Sequence, residues 1–342
     1  MKKKTDLIVR TKKEAEEVFK IFCEKLLQKI DGPTMVMDKQ GDIVFANDEY
    51  LYFFCFPKKD IIGNNWVGKI IPRTFKKDVN KTFSDIKRCK ALAQFDSPAL
   101  VVGDPENYIR WTVLPLDDGF SIRYLFIGRP IYYTKKACVR IHPISKRNLN
   151  QAYQDVIEIL FAAHNAGEPG TAEHAYRVRF FSVALAKKMN FEKKKVDTLK
   201  VAALLHDIGK LAIDDKILFK KGKLNKTEFK EIKKHPLCGA GMVELIYFLR
   251  DIVPVMVNHH ENFDGSGYPS GIQGEEIPLE ARVLAVADIY EALTADRPYR
   301  KGFSRTQALE IMKKEKGIKL DPGVTDVFLR MVENGEIKED RV

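Results

Sequence analysis

Apolar residues follow two different periods along the chain, and the change between them divides it into two halves. Residues 12–30 place apolar side chains at helical spacing among lysines and glutamates, which predicts an amphipathic helix. Its apolar positions are Val18, Phe19, Phe22, Leu26 and Ile30. From residue 31 to about residue 130, short alternating or apolar runs are broken by turn residues, which is typical of strands and hairpins.

The clearest strand signals come in two pairs. TMVMD and IVFAN flank the turn at 39–42, and IRWTVLPL and FSIRYLFIG flank the turn at 117–119. Each pair has the pattern of a β-hairpin, because two apolar runs are joined by a few turn residues. We therefore expect an α+β domain with an antiparallel sheet over residues 31–130, preceded by the N-terminal helix within residues 1–30.

Residues 131–150 carry mixed charge and are interpreted as a linker into a connecting helix. Beyond Pro143 the apolar residues follow a four-three-four-three spacing, at Leu149, Tyr153, Val156, Leu160 and Ala163. The repeat is shorter than three heptads, which favours a core-facing helix over a coiled coil. In either case we expect this helix to join the two halves rigidly.

The remainder, residues 151–342, has helical periodicity and predicts an all-α domain. The helical segments are AYRVRFFSVALAKKM, KVDTLKVAALLHDIG, KTEFKEIKKHP, CGAGMVELIYFL, ARVLAVADIYEALTA and SRTQALEIMKKE. The exception is a glycine-rich loop near residues 264–274. The predicted fold class is thus multidomain, an α+β domain followed by an all-α domain.

Composition narrows the class of protein. The chain has 342 residues, and its net charge of +11, from 58 basic and 47 acidic residues, favours an anionic partner without choosing among nucleic acid, membrane and a phosphorylated small molecule. Five scattered cysteines without a CxxC pair argue against a zinc knuckle or a disulfide framework. No secretory signal is evident, and the longest apolar run is interrupted by Arg250 and Asp251. We expect a cytoplasmic protein without membrane insertion and without a DNA partner.

Histidines and aspartates cluster in the C-terminal half, in segments that are otherwise apolar helices. Five of the seven histidines lie there beside two aspartates: His174, His206, Asp207, His235, His259, His260 and Asp288. Imidazole and carboxylate together suit borderline and hard divalent metals. The sequence therefore predicts a multinuclear metal site, while His142 and His164 are interpreted as structural or exposed.

The N-terminal half resembles a PAS sensor domain. The similarity lies in the strand pair around Gly41 with Asn47 behind it, in Ile61, Ile62 and Gly63 ahead of Trp66, and in a last strand pair closing on Trp111 and Gly128. The resemblance implies a five-stranded antiparallel sheet with helices on one face, used to hold a ligand or a partner. No histidine precedes His142, and no cysteine has a flavin-reactive context, so we expect neither haem nor flavin.

Residues 150–335 resemble the HD-GYP family of cyclic di-GMP phosphodiesterases, through HDIGK and HHENFDGSGYP. The resemblance implies that the seven histidines and aspartates named above are metal ligands, with Asp207 bridging. The name motif falls on Gly267, Tyr268 and Pro269. Asp207 and Lys210 would act in catalysis, and the residues near the substrate's phosphates and bases would be Lys210, Tyr268, Arg297 and Arg300.

The chemistry follows from these residue types, because two metal ions held close together can acidify water for in-line attack on a phosphodiester. Structural roles are the alternative for three of these positions. Lys210 could be a solvated helix-end lysine, and Arg297 and Arg300 could be ion-pair partners of Asp296 or Glu291. Tyr268 is interpreted as stacking on guanine, with a simple turn aromatic as the alternative.

Two departures from the family pattern shape the expected cofactors and product. Gly170 stands where members with a third metal have a glutamate, so we expect two metals, iron or manganese, unless Glu168 or Glu173 replaces it. Glu291 stands where the family often has aspartate. A dinuclear site is expected to stop at pGpG, whereas a trinuclear one is associated with hydrolysis to GMP.

The resulting hypothesis is a PAS-regulated, metal-dependent cyclic di-GMP phosphodiesterase that forms a homodimer through the PAS-like domain and its flanking helices. The alternative is a receptor or scaffold that binds the dinucleotide or a protein with little turnover. A third interpretation, an HD nucleotidase, is disfavoured by the glycine-rich loop.

Overall fold

The computed structural model describes residues 11–69, 71, 76–89, 92–98, 107–132, 141–142, 146–166, 171–296 and 301–337. The chain forms two compact units. Unit 1 comprises Met1–Ala166 with Glu244–Tyr247, and unit 2 comprises Gly167–Val243 with Phe248–Val342. Most of the predicted linker, residues 133–140 and 143–145, lies outside the described residues.

Unit 1 is built on an antiparallel sheet with the strand order β2-β1-β5-β4-β3-β6. The strands are β1 Thr34–Asp38, β2 Ile43–Ala46, β3 Ala93–Pro98, β4 Asn107–Asp117, β5 Ile122–Tyr132 and β6 Ile141–His142. Both predicted hairpins are present, since β1 pairs with β2 and β4 pairs with β5. The sixth strand, β6, has only two residues at one edge. The predicted α+β architecture of the N-terminal half is confirmed.

In the described part of unit 1, the α-helices are α1 Lys12–Ile21, α2 Asp48–Phe54, α3 Trp66–Lys69, α4 Lys76–Cys89 and α5 Lys146–Asn165. The helix predicted over residues 12–30 changes its winding after α1. It continues as a π-helical turn over Phe22–Leu26 and a 3₁₀ turn over Leu27–Lys29. With this winding the neighbouring side chains of Leu26 and Leu27 are both fully buried.

Aromatic side chains fill the core of unit 1. Trp66 and Trp111 meet edge to face with ring centroids 6.0 Å apart, and Phe126 lies 6.1 Å from Trp111. Asn47 is buried and ties three segments together, and its side-chain nitrogen donates to the carbonyls of Ile30 and Gly32 ahead of β1. Its side-chain oxygen accepts hydrogen bonds from the backbone N–H groups of Thr34 and Tyr50, so it joins β1 to the start of α2.

Helix α5 buries a face broader than a heptad seam. The predicted positions Val156, Leu160 and Ala163 are buried, and so are Ile157 and Phe161 beside them. This pattern is that of a core-facing helix, the interpretation favoured from the sequence. On the same helix His164 is also buried.

Unit 2 is helical, as predicted for the C-terminal half. Its helices are α6 Thr171–Lys188, α7 Lys193–Leu205, α8 Asp215–Leu218, α9 Lys226–Ile232, α10 His235–Glu244, α11 Val253–Asn258, α12 Leu279–Thr294, α13 Arg305–Glu315 and α14 Pro322–Glu333. Helix α12 is central, because it packs against α6, α7, α11, α13 and α14. Among the described residues, no helix combines the length and apolar character needed to cross a bilayer.

Candidate metal centre

Helix ends in unit 2 bring the predicted metal-binding residues together. His206 caps the end of α7, His235 begins α10, and His259 follows the last residue of α11. His174 lies in the first turn of α6, and Asp288 lies inside the central helix α12. Because a helix end frees a side chain from the helix surface, four separate segments can aim at one point.

Asp207 lies in the middle of this cluster and faces two sets of histidines. Its Oδ2 is 3.3 Å from His206 Nε2 and 3.8 Å from His174 Nε2, whereas its Oδ1 is 3.3 Å from His235 Nε2. Asp288 Oδ1 lies 3.5 Å from His174 Nε2.

Two groups of potential ligand atoms share that aspartate. One group is His174, His206 and Asp207, and the other is Asp207, His235, His259 and His260. Within each group the atoms lie within 4.8 Å of one another. A carboxylate whose two oxygens face different groups has the arrangement that a ligand shared by two cations needs.

Four of the histidine rings are oriented by hydrogen bonds from Nδ1. His206, His235 and His259 donate to the backbone carbonyl three residues earlier, at 2.9, 2.8 and 2.6 Å. His174 donates to Glu291 Oε2 at 2.6 Å. A carbonyl or carboxylate oxygen can only accept, so Nδ1 carries a hydrogen, and in the neutral ring Nε2 then offers a lone pair to a ligand. This donor set of imidazoles and a carboxylate fits divalent cations.

The charge states of the clustered side chains bear on whether they can bind a cation. Burial lowers the pKa of His259 well below its usual value and that of His260 to about 4. Burial acts to raise the pKa of Asp207, yet the nearby cations of Lys210 and His206 hold it well below its usual value. Against burial, Asp207 raises the pKa of His206 to about 9. The neutral rings of His259 and His260 and the ionised carboxylate of Asp207 are ready to bind a cation, whereas His206 would release a proton to do so.

Glu291 has a role that sequence reasoning missed. Its carboxylate is buried, accepts the hydrogen bond from His174 and lies 3.6 Å from Arg177 Nε. The available signal was its position three residues after Asp288, on the same face of α12. Glu291 therefore orients a histidine of the cluster from behind.

The glycine-rich loop packs tightly beside the cluster. A Cβ atom on Gly267 would lie 2.2 Å from the backbone nitrogen of Asn262, so only glycine fits there. Glu261, a second residue that sequence reasoning missed, accepts hydrogen bonds from the backbone of Ser270 at 2.7 Å and of Gly271 at 3.0 Å. Its position directly after the histidine pair was the signal. This packing fixes the loop that carries Tyr268 and Pro269, whose peptide bond is cis.

A cavity of 390 Å³ borders the cluster. Its lining includes His260 and Asp288 from the cluster and the ring of Tyr268, which lies 4.9 Å from the ring of His260. Lys210 Nζ lies 2.7 Å from Asp207 Oδ2, and its side chain is only 26% exposed. Lys210 is therefore not a solvated helix-end lysine, because it is paired at the cluster.

A close backbone approach joins the turn after α7, which carries Asp207, to α10. A Cβ atom on Gly209 would lie 1.9 Å from the carbonyl oxygen of His235 and 2.4 Å from the backbone nitrogen of Gly239. Only glycine permits this approach.

Five of the residues discussed from the sequence lie either outside the described residues or outside the cluster. Arg297, Arg300, Gly170 and Glu168 lie outside the described residues. Glu173 is exposed on α6 and belongs to neither group of potential ligands.

Part of the chain is similar to a known protein family and to several curated relatives. Residues 160–324 match the family model described as HD domain. The chain is 34% identical over 188 residues to the cyclic di-GMP phosphodiesterase response regulator RpfG of Xanthomonas campestris pv. campestris, covering 54% of this chain and 50% of the relative. It is 40% identical over 163 residues to the cyclic di-GMP phosphodiesterase PA4108 of Pseudomonas aeruginosa, covering 47% and 39%.

A further relative is named for a different cyclic dinucleotide. The chain is 37% identical over 161 residues to 3'3'-cGAMP-specific phosphodiesterase 1 of Vibrio cholerae, covering 47% of this chain and 37% of the relative. The chain thus spans half or less of the length of these relatives.

Two solved structures are similar to part of the chain. The V. cholerae cyclic GMP-AMP phosphodiesterase V-cGAP3 is 26% identical, with a TM-score of 0.37 and coverage of 56% of this chain and 43% of that chain. The PAS domain of the Cronobacter turicensis receptor RpfR is 11% identical, with a TM-score of 0.26 and coverage of 29% and 92%.

Proposed function

We propose that the chain is a metal-dependent phosphodiesterase that hydrolyses cyclic di-GMP, because residues 160–324 match the family model described as HD domain. The observation that carries this proposal is Asp207, whose two oxygens face two groups of inward-pointing histidine nitrogens beside a cavity. The similarity to relatives named as cyclic di-GMP phosphodiesterases supports the choice of substrate.

The chain's own residues would divide the work between the cluster and the cavity. His174, His206 and Asp207 would hold one cation, and His235, His259, His260 and Asp207 would hold another, with Asp288 completing the set. Bound divalent cations supply Lewis acidity, which acidifies water and stabilises charge on a phosphate. Lys210 places a positive charge at the cluster where phosphate oxygens would lie, and Tyr268 offers a ring for base stacking.

The first test compares the wild-type protein with Asp207→Ala. After anaerobic purification and metal quantification, the variant should hydrolyse cyclic di-GMP about a thousandfold more slowly, because both groups of ligands lose their shared carboxylate. Asp251→Ala is the matched control, since Asp251 is an exposed aspartate paired with Lys194, and it should keep wild-type activity. Substrate loss that persists in Asp207→Ala would contradict the assigned site.

The second test concerns product and metal number. Two groups of potential ligand atoms, with Glu173 outside both, support two metals, so we expect cyclic di-GMP to be converted to pGpG. Chromatography of the products alongside metal analysis of the same sample checks this prediction. Quantitative conversion to GMP by protein that holds two metals per chain would contradict it.

The choice of nucleobase is tested in the same assay. The V. cholerae relative named for 3'3'-cGAMP makes that dinucleotide the second candidate substrate, and a higher kcat/KM for it would change the substrate without changing the reaction. A receptor role would instead give binding of cyclic di-GMP in equilibrium dialysis without turnover of any dinucleotide. Regulation by the PAS-like unit and homodimer formation stay predictions.

A further inference from the structure

One wall of the cavity beside the metal centre carries two residues that the proposed chemistry does not use. Phe229 lies on α9, and Lys233 follows the last residue of that helix. Lys233 Nζ is 5.1 Å from the centre of the Phe229 ring and 4.9 Å from the centre of the Tyr268 ring. The ammonium group therefore lies near two aromatic rings, at distances that permit cation–π attraction.

The position of this wall is fixed relative to the cluster. Lys233 precedes His235 by two residues, and the buried ring of His235 is anchored to the Ile232 carbonyl at 2.8 Å. The backbone N–H of Lys233 donates to the carbonyl of Phe229 at 3.1 Å. The segment that carries Phe229 and Lys233 is thus held by the same histidine that faces Asp207.

The charge of Lys233 is less compensated than that of its neighbours. Lys210 pairs with Asp207 at 2.7 Å, Lys234 with Glu231 at 2.6 Å, and the cavity residue Lys319 with Glu315 at 3.0 Å. Within the described part of the chain, Lys233 has no ion pair with a carboxylate. Its positive charge in the cavity wall can therefore serve an anionic ligand.

Phe229 is 48% exposed although it lines the cavity. An aromatic ring that faces solvent at the edge of a cavity can stack on any nucleobase, because every base has a π-face. Phe229 lies in a short surface helix, so its replacement leaves the core of unit 2 intact.

We propose that Phe229 and Lys233 recognise the part of a cyclic dinucleotide that is not being cleaved: Phe229 stacks on one base, and Lys233 pairs with the second phosphate. This inference rests on the proposed phosphodiesterase function. A cyclic dinucleotide carries two phosphates, and only one can lie at the cluster in a given cleavage step. The second phosphate needs a cation elsewhere in the cavity, and Lys233 supplies it.

The test compares two substrates in full-length protein loaded with manganese: cyclic di-GMP, and bis(p-nitrophenyl) phosphate, which has one phosphate and no base. Lys233→Gln should raise KM for cyclic di-GMP about tenfold, as expected for a lost charge-assisted contact, with little change in kcat. Phe229→Leu should raise KM about fivefold or more through lost stacking. Neither variant should change the kinetics on the small diester.

Lys234→Gln is the matched control, because Lys234 is adjacent, exposed and paired with Glu231, and it should resemble wild type on both substrates. Unchanged KM for cyclic di-GMP in Lys233→Gln and Phe229→Leu would overturn the inference alone. Equal losses on both substrates would also overturn it, since they indicate general damage to the metal centre. Wild-type protein that cleaves the small diester but no cyclic dinucleotide would overturn the proposed function and the inference with it.

Discussion

At the scale of single residues, the cluster depends on what lies behind each histidine. Three rings take a backbone carbonyl as the acceptor for Nδ1, and His174 alone takes a carboxylate, that of Glu291. An anionic acceptor raises the basicity of the opposite ring nitrogen and fixes the ring orientation. Glu291 should therefore tune the affinity of the His174 side of the cluster for metal.

Replacing Glu291 with Gln tests this role. The amide oxygen can still accept from His174, but the negative charge is lost, so we expect metal affinity to fall by about tenfold or more. Competition against a chromophoric chelator measures the affinity. Activity should be reduced at limiting metal and recover at saturating metal.

Glu310→Gln provides the control for Glu291→Gln, because Glu310 is an exposed glutamate paired with Lys313 on α13. Its metal affinity should equal that of wild type. If Glu291→Gln binds metal as tightly as this control, Glu291 does not tune the cluster.

The sequence identified residue types at the site but not their pairings. Histidines and aspartates in apolar helices stand out because charged and polar groups are rare there, and the structure brings all seven of those named from the sequence together. The Glu291–His174 hydrogen bond joins residues 117 positions apart. Periodicity reports neighbours along one element, so a contact of this range cannot be read from it.

At the scale of elements, the hairpin between β4 and β5 offers a test of local stability. Asp118 is buried, and its Oδ1 accepts from the backbone N–H groups of Phe120 at 2.9 Å and Ser121 at 2.6 Å. Its Oδ2 pairs with Arg123 at 2.7 Å. Burial acts to raise the pKa of Asp118, but the hydrogen bonds and Arg123 lower it below its usual value.

A lowered pKa means that the unfolded chain binds the proton first as pH falls. The contribution of Asp118 to stability is then fully present above its unfolded pKa of 3.8 and is lost as pH falls through the folded pKa. Asp118→Asn should be less stable by about 1–2 kcal/mol at pH 7, where it loses a charge-assisted hydrogen bond.

Urea unfolding of unit 1, followed by its tryptophan fluorescence, measures this difference. The gap between wild type and Asp118→Asn should shrink as pH is lowered below 3.8. Asp31→Asn, at an exposed position in the same unit, should match wild type across the range. A gap that stays constant in acid would show that the charge of Asp118 is not its source.

Regular helices were easier to predict from the sequence than strand β3 and the change of winding after α1. Strand β3, AQFDSP, was not predicted, because it has few apolar residues and ends in a proline that carries no strand signal. The change to π-helical winding after Ile21 was also missed, since the apolar spacing of residues 12–30 fits a regular helix. Pairing with β4 and packing of Leu26 and Leu27 decide these two cases, and both are tertiary effects.

At the scale of the whole molecule, every member of the cluster lies in unit 2. A ligand that binds only the folded form raises stability by mass action, in the unit that holds it. Calorimetry with manganese and with a chelator should therefore move the transition of unit 2 and leave that of unit 1 in place. Asp207→Ala should abolish the shift, and equal shifts of both transitions would contradict the assignment of the metal to unit 2.

Periodicity also says little about which core a helix joins. Helix α5 has the same apolar spacing as the helices that follow it, yet it packs against the π-helical and 3₁₀ turns of Phe22–Lys29 and belongs to unit 1. The chain segment alone could not show this, because the face of an amphipathic helix specifies burial and not a partner. The two fold classes were predictable, and the membership of α5 was not.

Gly209 sets the distance between the two sides of the metal centre. Because Gly209 has no Cβ atom, the turn that carries Asp207 can lie directly against the backbone of the helix that begins with His235. Any side chain at this position would push the two segments apart and lengthen the distance between Asp207 Oδ1 and His235 Nε2. Gly209 therefore keeps Asp207 and His235 close enough for both to face the same candidate cation site.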